Sequence, residues 1–287
     1  MADFITRFAP SPTGPLHLGH AYSALLAHDM ARAAGGKFLL RVEDIDSTRS
    51  RPEWEDQIYE DLTWLGITWD EEPLRQSDRL SDYKRALHAL WNRALLYPCT
   101  CTRRDIAAAS SAPQEGAEPA FGPDGMIYPG TCRAKTDRNL GFPEHEALRL
   151  DMQDALGATD RSEFCYNEQS SGKDEILCTS AQNMVHDVGD IVLSRRDFLG
   201  SYHLSVVLDD AAQGVTHVVR GKDIQPATQI HVLLQNLLGL PTPIYHHHGL
   251  IRDENGKRLA KRDDARAIAT YRAEGKSPDD IRRMVGL

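Results

Sequence analysis

The chain has 287 residues, 41% of them hydrophobic and 26% charged, a profile that excludes intrinsic disorder, collagen-like repeats and a small disulfide-stapled scaffold. Thirty-three basic residues against 42 acidic ones give a formal net charge of -9, which disfavours a protein that coats nucleic acid indiscriminately but leaves room for a local basic face. Charges, Pro or Gly interrupt every apolar run before the ~18 residues of a membrane-spanning helix. The N-terminus carries Asp3 and Arg7 in place of an apolar signal core, so a cytoplasmic protein with no membrane partner is expected.

Phe4 to Ala9 reads as a strand. Pro10, Pro12 and Pro15 follow it and can join neither a ladder nor a helix interior, which predicts a rigid turn. From His17 on, Leu18, Leu25, Leu26 and Met30 recur at helical spacing until Gly35-Gly36, and Lys37 to Val42 returns as an apolar strand; together these predict a βαβ unit. Arg51 to Leu65 reads as an amphipathic helix stopped by Gly66, and Arg79 to Leu96 as another, stopped near Pro98. Ser110 to Gly130, rich in Ala, Ser, Pro and Gly and flanked by cysteines, reads as a loop of a small inserted module.

The second half brings the stretches Asp190 to Leu193, Tyr202 to Val207 and Thr216 to Arg220. A helix from Gln225 to Leu238 closed by Gly239 comes next, then a short strand around Ile244 to His246. Alternation at both ends with an irregular middle predicts an α/β fold, a parallel sheet in two halves separated by an insertion. The expected boundaries are 1–97, 98–185, 186–250 and 251–287.

His17-Leu18-Gly19-His20 stands where the first helix begins. A helix N-terminus offers backbone N–H groups to an anion, two imidazoles add donors, and Gly19 lets a nucleotide come close, all of which suits a triphosphate. Two histidines at a helix start more often cap or pack. The longer run Arg7-Phe8-Ala9-Pro10-Ser11-Pro12-Thr13-Gly14-Pro15-Leu16-His17-Leu18-Gly19-His20 resembles, almost letter for letter, the first signature of the class I aminoacyl-tRNA synthetases of the glutamate/glutamine branch. The family's second signature, usually KMSKS, has a degenerate copy in Arg258-Leu259-Ala260-Lys261-Arg262, with Ala260 in place of serine.

What the resemblance implies is a Rossmann-type catalytic domain with an inserted module and a short helical C-terminal part. It assigns ATP to His17, Gly19, His20 and Lys261, with His17, His20 and Lys261 as the catalytic groups and Mg²⁺ accompanying the nucleotide. Free glutamate carries two carboxylates and one ammonium, so its pocket needs guanidinium groups and an acid. By resemblance the residues that hold glutamate are Arg7, Phe8, Ala9, Pro10, Ser11, Glu43, Tyr202 and Arg220, and Val206 stands where the family usually has asparagine.

Cys99-Thr100-Cys101 and Cys132 are three of five cysteines, a spacing that suits a shared metal better than a disulfide framework. A closed zinc site needs a fourth ligand. The residues alone nominate a histidine, Cys165 or Cys178, whereas Tyr128-Pro129-Gly130-Thr131-Cys132 resembles the Tyr-x-x-x-Cys element of one branch of the family, in which the tyrosine oxygen completes a structural zinc site, one per chain. Cys165 and Cys178 then read as ordinary buried thiols. His246, His247 and His248 alternate faces on a strand and cannot share one ion, so packing and supporting roles near the nucleotide are expected of them.

The resemblance runs from Phe4 to about Ala269. Few residues follow Arg262, so the large anticodon-binding domain of a full glutamyl enzyme is expected to be missing. A short paralogue of that branch is implied, one that activates L-glutamate with ATP and transfers it to the queuosine base in the anticodon of tRNA(Asp). A monomer is expected, with Arg252, Lys257, Arg258, Arg262 and Arg266 as a cationic lip for the tRNA. The alternatives are a truncated enzyme charging a tRNA 3′ end and a non-catalytic binding module.

Overall fold

The computed structural model describes residues 3–111, 120–135, 141–170, 172–251 and 266–287. The first half runs β1 (Ile5–Phe8), α1 (Leu18–Ala33), β2 (Lys37–Val42), α2 (Pro52–Trp64), β3 (Leu74–Arg75) and α3 (Leu80–Asn92). The middle comprises β4 (Leu96–Cys99), α4 (Arg103–Ser111), the small hairpin β5 (Phe121–Gly122) and β6 (Gly125–Met126), β7 (Ala147–Leu150), α5 (Met152–Gly157), β8 (Glu163–Glu168), β9 (Glu175–Ser180), α6 (Ala181–Asp187) and β10 (Val192–Ser194). The last part brings α7 (Tyr202–Ala212), β11 (His217–Gly221), α8 (Thr228–Leu238), β12 (Ile244–His248), α9 (Ile268–Ala273) and α10 (Pro278–Val285).

Strands β1, β2 and β3 pair in parallel, as do β11 with β12 and β12 with β8; β9 joins β8 antiparallel. The two sets meet where the Thr216 N–H donates to the Ile5 carbonyl at 2.9 Å. The chain leaves β1 toward β2 on one side and reaches β11 on the other, so the crevice beyond the carboxyl ends of β1 and β11 is the switch point at which open α/β sheets bind ligands. Alanines let α1 lie close on this sheet: Ala21, Ala24, Ala27 and Ala31 are fully buried. Gly36 enters β2 where a Cβ would stand 2.0 Å from the Phe4 carbonyl oxygen, so no other residue fits. Ile268, Tyr271, Ile281 and Val285 of α9 and α10 complete the core around α1. Among the described residues no helix is long and apolar enough to cross a membrane.

Two sequence expectations change, and the unassigned stretch Tyr202 to Val207 acquires an element. The helix expected to reach Leu96 stops at Asn92; Ala94 turns the chain at φ 57° and Leu96–Cys99 is a strand. Pro98 is tolerated there because β4 is an edge of the β10-β7-β4 sheet. Tyr202 to Val207 opens helix α7, capped by Ser201, whose hydroxyl accepts from the Leu204 N–H. His203 through Val207 are all buried, which removes the polar face that reveals a helical period. Cys165 and Cys178 are neither buried nor free. Inward Phe164, Tyr166 and Glu168 turn Cys165 to the outer face of β8, opposite Cys178 of β9, and the two form a disulfide.

Candidate active site and cysteine cluster

The turn after β1 delivers His17 as the N-cap of α1 and His20 to its third position. The His17 Nδ1 accepts from the Gly19 N–H at 3.1 Å, the His20 Nδ1 accepts from the His17 N–H at 3.2 Å, and the rings stack at 3.7 Å. The two histidines do cap the helix. Because each Nδ1 is an acceptor, the proton of each neutral ring sits on Nε2, which gives each ring a donor of the polarity a phosphate needs.

A cavity of about 520 Å³ occupies the switch point, and Arg7 to Ser11, His20, Glu43, Val206, Tyr202 and Arg220 all line it. His17 and Gly19 lie just behind, in the cap. Beneath the cavity floor is a network that sequence reading missed. Arg7 donates through Nε to Asp210 at 2.7 Å, and fully buried Arg41 donates to the same Asp210 oxygen at 2.6 Å and to Glu43 at 3.3 Å. Burial alone would raise the Asp210 carboxyl, but Arg7 and Arg41 hold it down to about 2. For Glu43 burial wins and its carboxyl is raised, against the pull of Arg41 and Arg7. Asp209 accepts from Gln76 at 2.9 Å, the Tyr83 hydroxyl at 2.8 Å and Arg79 at 3.0 Å. Two adjacent acids seven and eight positions after Tyr202, in an otherwise apolar stretch, were the available signal, since residues a helical turn or two apart share a face.

Across the cavity, Arg220 at the end of β11 donates to the His247 Nε2 at 3.0 Å, the His231 Nδ1 at 3.1 Å and the Thr228 hydroxyl at 2.6 Å, and its guanidinium lies 5.1 Å from the Tyr245 ring centroid. The three consecutive histidines do diverge. His246 bonds the Gln169 carbonyl, His247 supports Arg220, and His248 bonds the Ser23 hydroxyl of α1 at 2.7 Å.

In the insertion, β4 and the segment after β6 bring Cys99, Cys101 and Cys132 together, their sulfurs within 4.8 Å of one another. The Tyr128 hydroxyl is 3.4 Å from the Cys99 sulfur and 3.3 Å from that of Cys101, which is 3.5 Å from the sulfur of Cys132. Thiolates at about 2.3 Å from a tetrahedral zinc lie about 3.8 Å apart, so the donor set has the right chemistry and nearly the right size. The Arg149 guanidinium donates to the Cys99 sulfur at 3.3 Å and covers the Tyr128 ring, a cation well placed against thiolate charge. Lys261, with Arg252, Lys257, Arg258 and Arg262, lies outside the described residues. Arg266, the remaining member of that expected lip, pairs with Glu274 and lies over the Tyr271 ring.

Residues 3–287 match the family described as tRNA synthetases class I (E and Q), catalytic domain. A glutamyl-Q tRNA(Asp) synthetase of Rhodobacter capsulatus is 63% identical over 99% of this chain and 100% of its own length. One from Symbiobacterium thermophilum is 41% identical over 96% of this chain and 83% of its own. The crystal structure of the glutamate-tRNA synthetase of Elizabethkingia anophelis superposes with a TM-score of 0.77 at 29% identity, covering 99% of this chain and 61% of that one. This chain thus spans about three fifths of that enzyme.

Proposed function

The chain belongs to the class I tRNA synthetases of the glutamate and glutamine branch, and from that premise we propose that it activates L-glutamate with ATP and transfers the glutamyl group to queuosine in the anticodon of tRNA(Asp). The observation that carries the first step is the convergence of Arg7, Glu43 and Arg220 on one cavity beside His20, which is the charge complement of glutamate. The acceptor rests on the names of relatives matched over most or all of their length.

Glu43 receives the substrate ammonium, and Arg7 and Arg220 the carboxylates, with Tyr202 and the backbone of Phe8 to Ser11 enclosing the chain. An oxygen of the glutamate carboxylate attacks the α-phosphorus of ATP; the new P–O bond forms as the α–β bridge breaks, and pyrophosphate leaves. Mg²⁺ brought by the nucleotide would add charge neutralisation on the phosphates. His17 and His20, with protons on Nε2, and Lys261 stabilise the charge that builds on the phosphates. Gly19 keeps the helix N-terminus open to them. In the second step a hydroxyl of the acceptor attacks the acyl carbon and gives up its proton, the acyl C–O bond to phosphate breaks, and AMP leaves with the electron pair. Cys99, Cys101, Tyr128 and Cys132 would hold one structural zinc, and as a four-ligand protein set with no place for water they would fix the insertion without entering either step.

Pyrophosphate exchange dependent on glutamate, without tRNA, tests the first step. The acceptor is tested with radiolabelled glutamate and tRNA(Asp) with or without queuosine, each ending in a 3′ adenosine that lacks both ribose hydroxyls. Label that requires queuosine and ignores the missing hydroxyls is expected. Label that requires the 3′ ribose instead marks a small glutamyl-tRNA synthetase.

A further inference from the structure

Arg220 differs from the other arginine of the pocket in the kind of group that holds it. Arg7 is bound to a carboxylate, whereas the partners of Arg220 are two imidazoles and a hydroxyl. The direction of each hydrogen bond follows from the ends of the chains. A guanidinium only donates and a carboxylate only accepts. Arg220 gives its Nε–H to the His247 Nε2, so the His247 proton is on Nδ1, where it is donated to Glu168 at 2.5 Å; the same Glu168 also accepts the His247 backbone N–H at 2.9 Å. Arg220 gives an Nη1–H to the His231 Nδ1, so His231 donates from Nε2 to the His203 Nδ1 at 3.2 Å, and His203 donates from Nε2 to Asp124 at 3.1 Å. Each tautomer is dictated from both ends, and each carboxylate stands at least one imidazole away from the guanidinium.

We infer that His231 and His247 are positioning residues, held as neutral acceptors by these two chains, that aim Arg220 into the cavity while leaving its charge uncancelled for a carboxylate of glutamate. The inference rests on the reading that the cavity binds glutamate. Of the five N–H bonds of a guanidinium, three are directed to His247, His231 and Thr228, and two remain, the number a carboxylate takes in a bidentate pair. A carboxylate placed directly on Arg220 would occupy those bonds and cancel the charge. Burial, and after it the Arg220 charge, disfavours protonation of both imidazoles, bringing His247 down to about 4 and His231 well below its ordinary value. His231, His247, Glu168 and Thr228 are all buried, so water does not compete for these bonds.

The test is glutamate-dependent pyrophosphate exchange with the full chain. His231→Glu and His247→Glu each set a carboxylate against Arg220 and are expected to raise the KM for glutamate at least tenfold with the KM for ATP within twofold. His231→Gln and His247→Asn, which keep a neutral acceptor, should shift it less than threefold. A glutamate KM unchanged in the folded glutamate variants overturns the inference, as does an equal rise in the amide variants. Nitrogen-15 shifts of the unsubstituted protein at neutral pH decide the matter even if the variants do not fold: protons on Nδ1 of His247 and Nε2 of His231 are expected, and an imidazolium or the opposite tautomer at either ring overturns it. Unsubstituted protein that lacks glutamate-dependent exchange refutes the functional reading itself, whereas exchange retained with indifferent variants refutes the inference alone.

Discussion

The network under the cavity and the cysteine cluster of the insertion are both polar groups taken out of water, and they are completed in opposite ways. Arg7, Arg41, Asp210 and Glu43 contain their own counter-charges, so folding alone closes the network. Cys99, Cys101, Cys132 and Tyr128 are donors that become ligands by losing protons, and with Arg149 as the nearby cation they gather negative charge. Buried ionic groups are tolerated only when paired. The first cluster is therefore closed without any ligand, whereas the second has the donor set of a metal site, and on the zinc reading its stability would be coupled to that ion.

The sharpest way to separate the two is to remove one cysteine. Structural zinc sites in small peptides carry apparent free energies of ~10–16 kcal/mol, so Cys101→Ser should lower metal content from about one zinc per chain to near zero and expose the insertion to protease. Elemental analysis and limited proteolysis read both effects. Metal-free unsubstituted protein, purified without chelator, would refute the assignment.

The pocket network should respond to a different lesion and ignore chelators. Asp210→Ala leaves the Arg7 and Arg41 guanidiniums buried without their shared partner, and breaking a buried pair typically costs about 3–5 kcal/mol. Urea unfolding should register a loss of that size, accompanied by a raised KM for glutamate because Arg7 is no longer held. A loss below about 1 kcal/mol would mean that the network is not closed by its own charges.

His20→Ala tests whether the helix cap also acts on phosphate. Removing one preorganised donor to a developing oxyanion lowers rates by about 10²–10³, and exchange should fall by that amount. Losing a cap costs only ~0.5–2 kcal/mol of stability. A rate loss under threefold would leave His20 a capping residue.

The sequence revealed those parts of the pocket that lie in continuous runs. Arg7 to Ser11, His17 to His20 and the strand Lys37–Val42 followed by Glu43 sit close together in the chain, and their order alone sets them at the end of β1 and β2. What it concealed lies across the fold. Asp210 reaches Arg7 from α7, Glu168 reaches His247 from β8, and Asp124 reaches His203 from the β5–β6 turn; no local spacing links these residues. The disulfide was hidden for another reason: its partners lie on different strands, and only the inward turn of Phe164 and Tyr166 sends Cys165 outward. The stretch after Tyr202 was obscured because His203 through Val207 are all buried, which removes the polar face by which a helix is usually read.

The smallest expected effect concerns an acid that neither cluster contains. Asp61 on α2 is fully buried, both its carboxylate oxygens lack a hydrogen-bond partner among the described residues, and the nearest cation, Arg272 of α9, is 3.7 Å away. Burial raises its carboxyl to about 6, Arg272 opposing and Glu60 adding to the rise. The unfolded chain loses this proton near pH 4. Between about pH 4 and pH 6 the folded state therefore binds more protons than the unfolded one, and stability falls as pH rises through that window. Crossing the whole window costs about 2–3 kcal/mol at most, a figure in which the opposing charge of Arg272 is already contained. Asp61→Asn removes the titration and should flatten that part of the stability curve, with the midpoint of thermal unfolding at pH 8 higher than in the unsubstituted protein and little change at pH 4. A pH dependence that persists unaltered in the variant would assign it to another group. A lower midpoint at pH 8 would show that the Arg272 pairing outweighs burial, making Asp61 a fastener of the C-terminal helices and not a strained acid beneath them.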